Sequence, residues 1–240
     1  MFNLKIIILT TSTDHHLFFV NKLLEKFKDT KVILEKKKNF FSFKTYHNYQ
    51  KKRKKFEKYF FFKNKENKFK NEKIFYDVNS KNCINYVKKI KPDLIISFGV
   101  GLIKPMFLRE FKDSKIVNLH GGNLNYYRGL DSHLWSIYHK DFDNLLTTLH
   151  FVKKKLDTGN VILTKKINIH KKIPFETIRA FNTINCIDLV TKYIKSIKNN
   201  KKIPVKKNIK FGRYYSAMPS VLIDRCIKNY NVYIHKTISN

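Results

Sequence analysis

The chain has 240 residues, of which 42% are hydrophobic and 15% aromatic, and this composition excludes an intrinsically disordered protein. Its formal net charge of +32 favours anionic partners such as nucleic acids or nucleotides, although Lys, Asn, Ile and Phe are also the residues of AT-rich codons. Three widely spaced cysteines and the lack of any apolar run of transmembrane length exclude a disulfide framework and predict a reduced, cytoplasmic protein without a membrane span.

The N-terminal part predicts the first strand–helix–strand unit of an open α/β sheet. Residues 3–10 are apolar and β-branched, as is typical of a buried parallel strand, and the run at 4–9 is too short for a signal-peptide core. Thr13 or Asp14 can cap a helix with apolar residues at helical spacing, and residues 31–34 predict a second strand. Because no Gly-x-Gly-x-x-Gly or Walker sequence follows the first strand, neither a dinucleotide site nor a P-loop is expected.

Residues 35–73 differ from the rest of the chain, because they are almost entirely Lys, Phe, Asn, Tyr and Glu, without Gly or Pro. Phe56, Tyr59, Phe60 and Lys63 lie on adjacent turns of a predicted amphipathic helical arm, which would pack on the domain or on a second subunit of a homodimer. The alternatives are a disordered insertion, or an RNA-binding insertion that stacks bases on its aromatic rings.

The middle of the chain continues the strand and helix alternation. The pattern predicts helices at 81–90, 106–111, 131–139 and 174–197, strands at 93–98, 116–120, 145–152 and 161–169, and a short basic tail after Pro204. The Gly-Val-Gly segment at 99–101 follows a strand, and in a parallel sheet ligands bind at that end of the strand. A glycine loop of this kind is also common between an ordinary strand and helix.

The strongest candidate site combines the end of one strand with a later turn. Asn118 and His120 are two residues apart in the 116–120 strand, so their side chains point to the same side, just before a Gly-Gly turn where positive φ costs little. Asp157, in Leu-Asp-Thr-Gly, supplies a carboxylate on a tight turn after the strand that contains His150. An imidazole, an amide and a carboxylate can move a proton and stabilise an oxyanion, whereas the alternative interpretation is turn chemistry.

Taken together, these motifs resemble the folate-dependent formyltransferase family. The resemblance rests on Asn-x-His at 118–120, Tyr-Arg-Gly at 127–129, the His150 to Gly159 segment and Leu-Ile-x-Pro at 102–105. It covers about residues 3–200, apart from 35–73. It implies a Rossmann-like open sheet with flanking helices and a Lys/Phe-rich helical insertion. The implied domains are a catalytic domain over 1–204 and a short C-terminal tail over 205–240.

The resemblance also implies transfer of a formyl group from 10-formyltetrahydrofolate to a primary amine. Asn118 would then donate to the formyl oxygen, His120 would donate to the oxyanion or take the amine proton, and Asp157 would accept the proton. The pterin of the folate would bind at four residues that end or follow the predicted strand at 93–98, namely Phe98, Gly101, Leu102 and Ile103. Arg128 and His133 would contact the acceptor, and no residues resemble a metal site.

Departures from the family pattern narrow the acceptor. The loop at 11–13 lacks the Gly-Ser-Asn of glycinamide ribonucleotide formyltransferases, and too few residues follow Pro204 for the C-terminal barrel of methionyl-tRNA formyltransferases. We therefore expect a small phosphate-bearing acceptor, an amino sugar linked to a nucleotide, in preference to tRNA or glycinamide ribonucleotide. A non-catalytic RNA-binding protein is the alternative from a different class.

Overall fold

The computed structural model describes residues 4–37, 40–69, 72–169 and 173–238. They form nine strands: β1 (Ile6–Thr10), β2 (Lys31–Glu35), β3 (Glu72–Phe75), β4 (Leu94–Phe98), β5 (Lys115–His120), β6 (Tyr127–Gly129), β7 (Leu146–Phe151), β8 (Val161–Lys166) and β9 (Arg213–Tyr215). The α-helices of the same residues are α1 (Asp14–Leu24), α2 (Asn48–Phe62), α3 (Lys81–Ile90), α4 (Pro105–Glu110), α5 (Ser132–Tyr138), α6 (Ile178–Lys198) and α7 (Ile223–Ile238).

Seven of the strands form one open sheet in the order β3-β2-β1-β4-β5-β7-β8. The first five of these are parallel to one another, and β7 and β8 are added antiparallel at one edge. Helices cover both faces of the sheet, as parallel strands joined by helical crossovers require. The predicted Rossmann-like α/β fold is therefore confirmed.

Alternation along the central strands separates two apolar cores. Ile6 and Ile8 of β1 pack on the face covered by α1 and α6, whereas Ile7 and Leu9 pack on the face covered by α3 and α4. The same alternation continues in β4 and β5, because side chains of a strand point to opposite faces in turn. Ser97, Asn118 and His120 consequently lie on the α3/α4 face, at the carboxyl end of the parallel strands.

Segment 35–73 contains the predicted helix, α2, and the structure adds its place in the fold. This helix is the crossover between the parallel neighbours β2 and β3, and it packs on the domain itself. The ring of Phe61 stacks on Phe18 of α1 at 4.2 Å, and Tyr49 and Glu57 are buried, whereas Tyr59 is 56% exposed. Residues 38, 39, 70 and 71 of this segment lie outside the described residues.

Four elements are absent from the predicted pattern. The edge strand β3 has the sequence Glu-Lys-Ile-Phe with no alternation of buried and exposed residues, and β6 and β9 have three residues each. The fourth, α7, packs its Cys226 and Tyr230 against α5 in a third apolar cluster. The predicted helix at 174–197 begins instead with a single 3-10 turn, Phe175–Thr177, before α6.

The segment after residue 204 is attached to the rest of the chain by strand pairing as well as by helix packing. Tyr127 to Gly129 of β6 pair in parallel with Arg213 to Tyr215 of β9, and Arg128 Nε donates to the Gly212 carbonyl at 2.6 Å. The domain boundary at 204 stays a prediction. Among the described helices, none combines the length and the apolar character needed to cross a membrane.

Candidate active site

A cavity of about 460 Å³ lies at the carboxyl ends of β4 and β5. The loop after β4 forms one wall, with Gly101, Leu102 and Ile103 among its residues, and Asn118, His120 and Asp157 form the opposite part of the lining. The sequence-predicted catalytic and folate-binding residues are thus brought to one cavity, with the exception of Phe98.

Asp157 is the centre of the polar cluster in this cavity. Its Oδ1 accepts from Asn118 Nδ2 at 3.3 Å, and its Oδ2 lies 3.5 Å from His120 Nδ1. His150 Nε2 lies 3.4 Å from Oδ1, and the backbone N–H of Gly129 donates to Oδ2 at 2.8 Å. Since only 5% of Asp157 is exposed, four protein groups rather than water hold its carboxylate.

The turn that carries Asp157 explains why the sequence reads Asp-Thr-Gly at this point. Asp157 has a φ of 51°, a left-handed conformation that Asp tolerates better than most residues. Gly159 lies so close to β7 that an added Cβ would be 1.5 Å from the Phe151 carbonyl oxygen, which leaves room for glycine only. The turn therefore fixes the carboxylate against the end of β5.

The charges around Asp157 determine its protonation. Burial, the largest effect, raises its pKa, but His120, His150 and the hydrogen bond from the Gly129 N–H together outweigh burial. The resulting pKa lies well below the ordinary value for aspartate, so the carboxylate is ionised at neutral pH.

Hydrogen bonds also fix the ring orientation of His120. Its Nε2 donates to the Tyr127 carbonyl oxygen at 2.7 Å, because a carbonyl oxygen can only accept. In the neutral ring the Nε2 nitrogen therefore carries the hydrogen, and Nδ1, which faces Asp157, has the free lone pair. In this tautomer Nδ1 can accept a proton, and the Asp157 carboxylate lies next to the positive charge that protonation would create.

His150 is the member of this cluster that we did not predict as a catalytic residue. Its Nδ1 donates to the Phe151 carbonyl at 2.8 Å, and its Nε2 lies 3.2 Å from Asn118 Nδ2. The pairing of β5 with β7 aligns Asn118 with His150 in register, which sets the two side chains next to each other. The available signal was the spacing of seven residues between His150 and Asp157.

Two buried polar residues that sequence analysis missed hydrogen-bond to the backbone of the loop after β4. Glu35, at the end of β2, accepts from the backbone N–H of Gly101 at 2.8 Å and of Val78 at 3.1 Å. Asn79 donates to the Leu102 carbonyl at 3.0 Å and accepts from the Lys104 N–H at 2.7 Å. Three of these bonds hold the loop after β4, and the fourth, from the Val78 N–H, fixes Glu35 against the segment between β3 and α3.

Phe98, one of the predicted folate-binding residues, lies on the other face of β4. It is 6% exposed and packs edge-on against the His16 ring of α1, with the centroids 4.5 Å apart. Its strand neighbour Ser97 lines the cavity instead, as strand alternation requires. Gly99 then turns the chain with a φ of 83°, a conformation that glycine adopts at low cost.

The two predicted acceptor-binding residues also lie outside the cavity lining. Arg128 bonds the Gly212 carbonyl, and its Nη1 reaches the Leu156 carbonyl at 3.4 Å, so it connects the Asp157 turn to the segment before β9. His133, in the first turn of α5, is 7% exposed, and its Nε2 is buried without a hydrogen-bond partner.

The Gly-Gly turn after His120 does not use the positive φ that glycine allows. Positive φ among the glycines of the described residues occurs at Gly99 and Gly129, and not at Gly121 or Gly122. Crowding explains Gly122, because an added Cβ would lie 2.8 Å from the Ser132 Cβ. Thr148 of β7 also donates to the Gly122 carbonyl at 2.7 Å, which holds the loop close to the sheet.

Comparison with known proteins agrees with this geometry. The family model described as formyl transferase matches residues 5–181. A methionyl-tRNA formyltransferase of Finegoldia magna is 31% identical over 119 residues, which are 49% of this chain and 38% of that protein. A bifunctional polymyxin resistance protein, ArnA of Wigglesworthia glossinidia brevipalpis, is 27% identical over 162 residues, 66% of this chain and 25% of that protein. The chain thus spans less than half the length of these curated relatives.

Solved structures share the fold. A 4-N formyltransferase from Francisella tularensis superposes with a TM-score of 0.59 at 20% identity, covering 93% of this chain and 86% of that one. PseJ from Anoxybacillus kamchatkensis, solved in complex with UDP-4,6-dideoxy-4-formamido-L-AltNAc and tetrahydrofolate, superposes with a TM-score of 0.54 at 21% identity over 88% of this chain and 85% of that one. The family match over most of the chain, joined to the Asn118–His120–Asp157 geometry, shows that this chain belongs to the formyl transferase family.

Proposed function

We propose that this chain transfers a formyl group from 10-formyltetrahydrofolate to a primary amine on a nucleotide-linked sugar. The observation that carries the proposal is the arrangement of Asn118, His120 and Asp157 in one cavity, opposite a backbone loop. An oxyanion donor, a base and an ionised carboxylate are the groups that acyl transfer to an amine requires.

The cavity suits the flat, hydrogen-bonding head of a folate. Its loop wall offers backbone N–H and carbonyl groups beside the apolar side chains of Leu102 and Ile103. Glu35 and Asn79 fix the path of that loop, so that its backbone groups have a defined direction. When bound, the folate supplies the formyl carbon that the amine attacks.

Each residue of the cluster then has a role that follows from its partners. Asn118 lies between Asp157 and His150, which accept both hydrogens of its amide, and one of these hydrogens turns to the formyl oxygen as negative charge develops there. His120 takes the proton of the attacking amine at Nδ1, and Asp157 stabilises the imidazolium that forms. The proton taken up by His120 would then pass to the folate nitrogen when the bond between that nitrogen and the formyl carbon breaks, so that the reaction is balanced.

The acceptor class rests on the relatives and on charge. PseJ was solved with a formylated amino sugar linked to UDP, and its fold covers most of both chains. The net charge of +32 suits a diphosphate. Methionyl-tRNA is the second candidate, because proteins of that name are among the curated relatives. The predicted cytoplasmic location accords with either acceptor.

A product assay separates these acceptors. The purified chain and 10-formyltetrahydrofolate are offered UDP- and dTDP-linked amino sugars, glycinamide ribonucleotide and methionyl-tRNA, and mass spectrometry detects a gain of one formyl group. We expect the gain on a nucleotide-linked amino sugar alone. A gain on methionyl-tRNA alone would replace the acceptor in this proposal, and binding of RNA without any formylated product would favour the RNA-binding alternative.

A further inference from the structure

A second cavity, of about 290 Å³, opens between α2, α5 and α6, on the face of the sheet that α1 and α6 cover. Arg53 of α2 and Arg179 of α6 both line it, together with Gln50, Asp131 and Met218. No role in the proposed function has been assigned to either arginine. We call this space the arginine pocket.

The two arginines differ in how they are compensated. Arg179 donates from Nε and Nη2 to the two carboxylate oxygens of Glu57, at 2.7 and 2.5 Å, and Glu57 is fully buried. Arg53 lies over the Tyr49 ring, with its Cζ 5.1 Å from the ring centroid, and donates from Nη1 to the Tyr49 hydroxyl at 3.4 Å, while its Nε is buried without a hydrogen-bond partner. Among the described residues, no carboxylate lies within ion-pair distance of Arg53. Asp131, the other acid of the pocket, accepts from the Met218 N–H at 2.9 Å.

A second buried polar atom without a partner lies close by. His133 Nε2 is enclosed by α5 and has no hydrogen bond, although the side chain is more than nine-tenths buried. Buried donors and acceptors in folded proteins almost always find a partner, and an exception often marks the place of a ligand or ion. Arg53 lines the arginine pocket, whereas His133 does not line it but is near enough to sense the charges of Arg53 and Arg179. The unpartnered Arg53 Nε therefore makes the pocket the candidate place for a ligand.

The electrostatics give the sign of that ligand. Burial lowers the pKa of His133 to about 4 despite the opposing charge of Asp131, and Arg53 and Arg179 lower it further. Burial and the same two arginines also lower the pKa of His15, in the first turn of α1. Burial is the largest of these effects, so the sign of the ligand rests on the guanidinium groups themselves. Arg179 is paired with Glu57, whereas no carboxylate among the described residues lies within ion-pair distance of Arg53, and this favours an anion beside Arg53.

The arginine pocket lies within reach of the catalytic cluster. Arg179 and Asn182 are three residues apart on α6 and share one face of it. Asn182 accepts from Thr147 at 2.7 Å, and an added Cβ on Gly121, the residue after His120, would lie 3.5 Å from its amide. Arg179, which lines the pocket, thus lies about one helical turn, ~5 Å along α6, from the residue that packs on the loop after His120.

We infer that Arg53 and Arg179 bind a phosphoryl group of the acceptor, either a phosphate ester or a diphosphate. The guanidinium fork of Arg53 matches phosphate oxygens, and Nε is the donor that a phosphate would satisfy. The amine at the other end of the acceptor would then reach His120. This inference rests on the proposed function for the identity of the ligand, but the pocket can be tested without any turnover.

The test measures binding of inorganic phosphate and pyrophosphate by calorimetry at two salt concentrations. We expect Arg53→Gln to weaken pyrophosphate binding by about tenfold or more, since a hydrogen bond to a charged group contributes roughly 1.5–3 kcal/mol. Lys54→Gln removes the same charge from the next, exposed position of α2 and is expected to leave binding unchanged. Tighter binding of pyrophosphate than of phosphate would identify a diphosphate site, and the reverse order a monoester site.

A second measurement tests whether pyrophosphate binds in the arginine pocket. Pyrophosphate should raise the pKa of His133, measured by NMR of its ring, in the wild type but not in Arg53→Gln. Equal binding by wild type and Arg53→Gln, with an unmoved His133, would overturn the inference. Arg53→Lys keeps the positive charge but loses the guanidinium fork, so its pyrophosphate binding should weaken less than that of Arg53→Gln. This variant replaces Arg53→Gln in the test if Arg53→Gln folds poorly.

Kinetics distinguish failure of the pocket from failure of the proposed function. When an acceptor is formylated, Arg53→Gln should raise the KM for that acceptor with little change in kcat. An unchanged KM would overturn the inference about the arginine pocket and leave the proposed formyl transfer intact. If no acceptor is formylated but pyrophosphate binding still depends on Arg53, the pocket stands and the proposed function fails.

Discussion

The backbone N–H of Gly129 donates to Oδ2 of Asp157 at 2.8 Å, and this bond connects two motifs that are 28 residues apart. Gly129 ends the Tyr-Arg-Gly strand β6, and Asp157 belongs to the Leu-Asp-Thr-Gly turn. The Asp157 carboxylate is therefore oriented by strand β6, which also pairs with β9. The C-terminal segment thus contributes to the geometry of the cluster.

Removing the charge of Asp157 should change how stability depends on pH. The pKa of Asp157 is lower in the folded than in the unfolded chain, so its contribution is fully present at neutral pH and is lost as pH falls below the unfolded value of about 4. Urea unfolding at pH 7 and at pH 3 should show a smaller acid loss for Asp157→Asn than for wild type. Asp143→Asn, at a side chain 95% exposed, is the control. Equal acid losses for Asp157→Asn and wild type would contradict the lowered pKa.

Glu35 should act on folate binding through the loop that it holds. Glu35→Gln replaces one carboxylate oxygen by an NH₂ group, which cannot accept from both the Gly101 and Val78 N–H groups. Leaving a buried donor unsatisfied costs about 1–3 kcal/mol, so the Kd of a reduced folate should rise by about tenfold. Glu66→Gln, at an exposed position, serves as the control.

Titration calorimetry with tetrahydrofolate measures this effect, and Asn79→Ala should show a change in the same direction, because it removes two bonds to the same loop. If both variants bind the folate as tightly as wild type, the loop does not form the binding wall.

Two glycines of the site should respond differently to alanine. Gly129 has a φ of 91°, and an added Cβ would lie 2.1 Å from the Tyr215 carbonyl oxygen, so Gly129→Ala should destabilise the pairing of β6 with β9 by several kcal/mol. At Gly121 the added Cβ would meet only ordinary contacts at 3.5 Å, and Gly121→Ala should be tolerated. Thermal unfolding measures both, and a similar melting temperature for the two variants would argue against the β6–β9 geometry.

The sequence predicted those parts of the site that depend on short-range geometry. Because side chains alternate between the two faces of a strand, the sequence predicted that Asn118 and His120 point to the same side. The turn chemistry of Asp-x-Gly indicated Asp157. The prediction that Phe98 binds the folate ignored this alternation, which turns its side chain toward α1 on the other face of the sheet. Glu35 and Asn79 could not be found in this way, because their partners are 66 and 25 residues away.

Long-range packing also explains what the pattern did not reveal about α2. Its lysines and aromatic residues predicted an amphipathic arm packed on the domain or on a second subunit, and only the parallel pairing of β2 with β3 identifies it as a crossover helix. The short edge strand β3 has no apolar alternation from which that pairing could be inferred. The burial of Glu57 depends on Arg179, which is 122 residues further along the chain.

The most direct measurement is transfer of an isotopically labelled formyl group from 10-formyltetrahydrofolate to an amino-sugar nucleotide by wild type and by His120→Ala, Asn118→Ala and Asp157→Ala. Each variant should lose at least about 100-fold in rate, since each removes an oxyanion donor or a proton carrier. Circular dichroism establishes that the variants are folded. Near-normal transfer by folded His120→Ala would show that the chemistry does not take place at the Asn118–His120–Asp157 cluster.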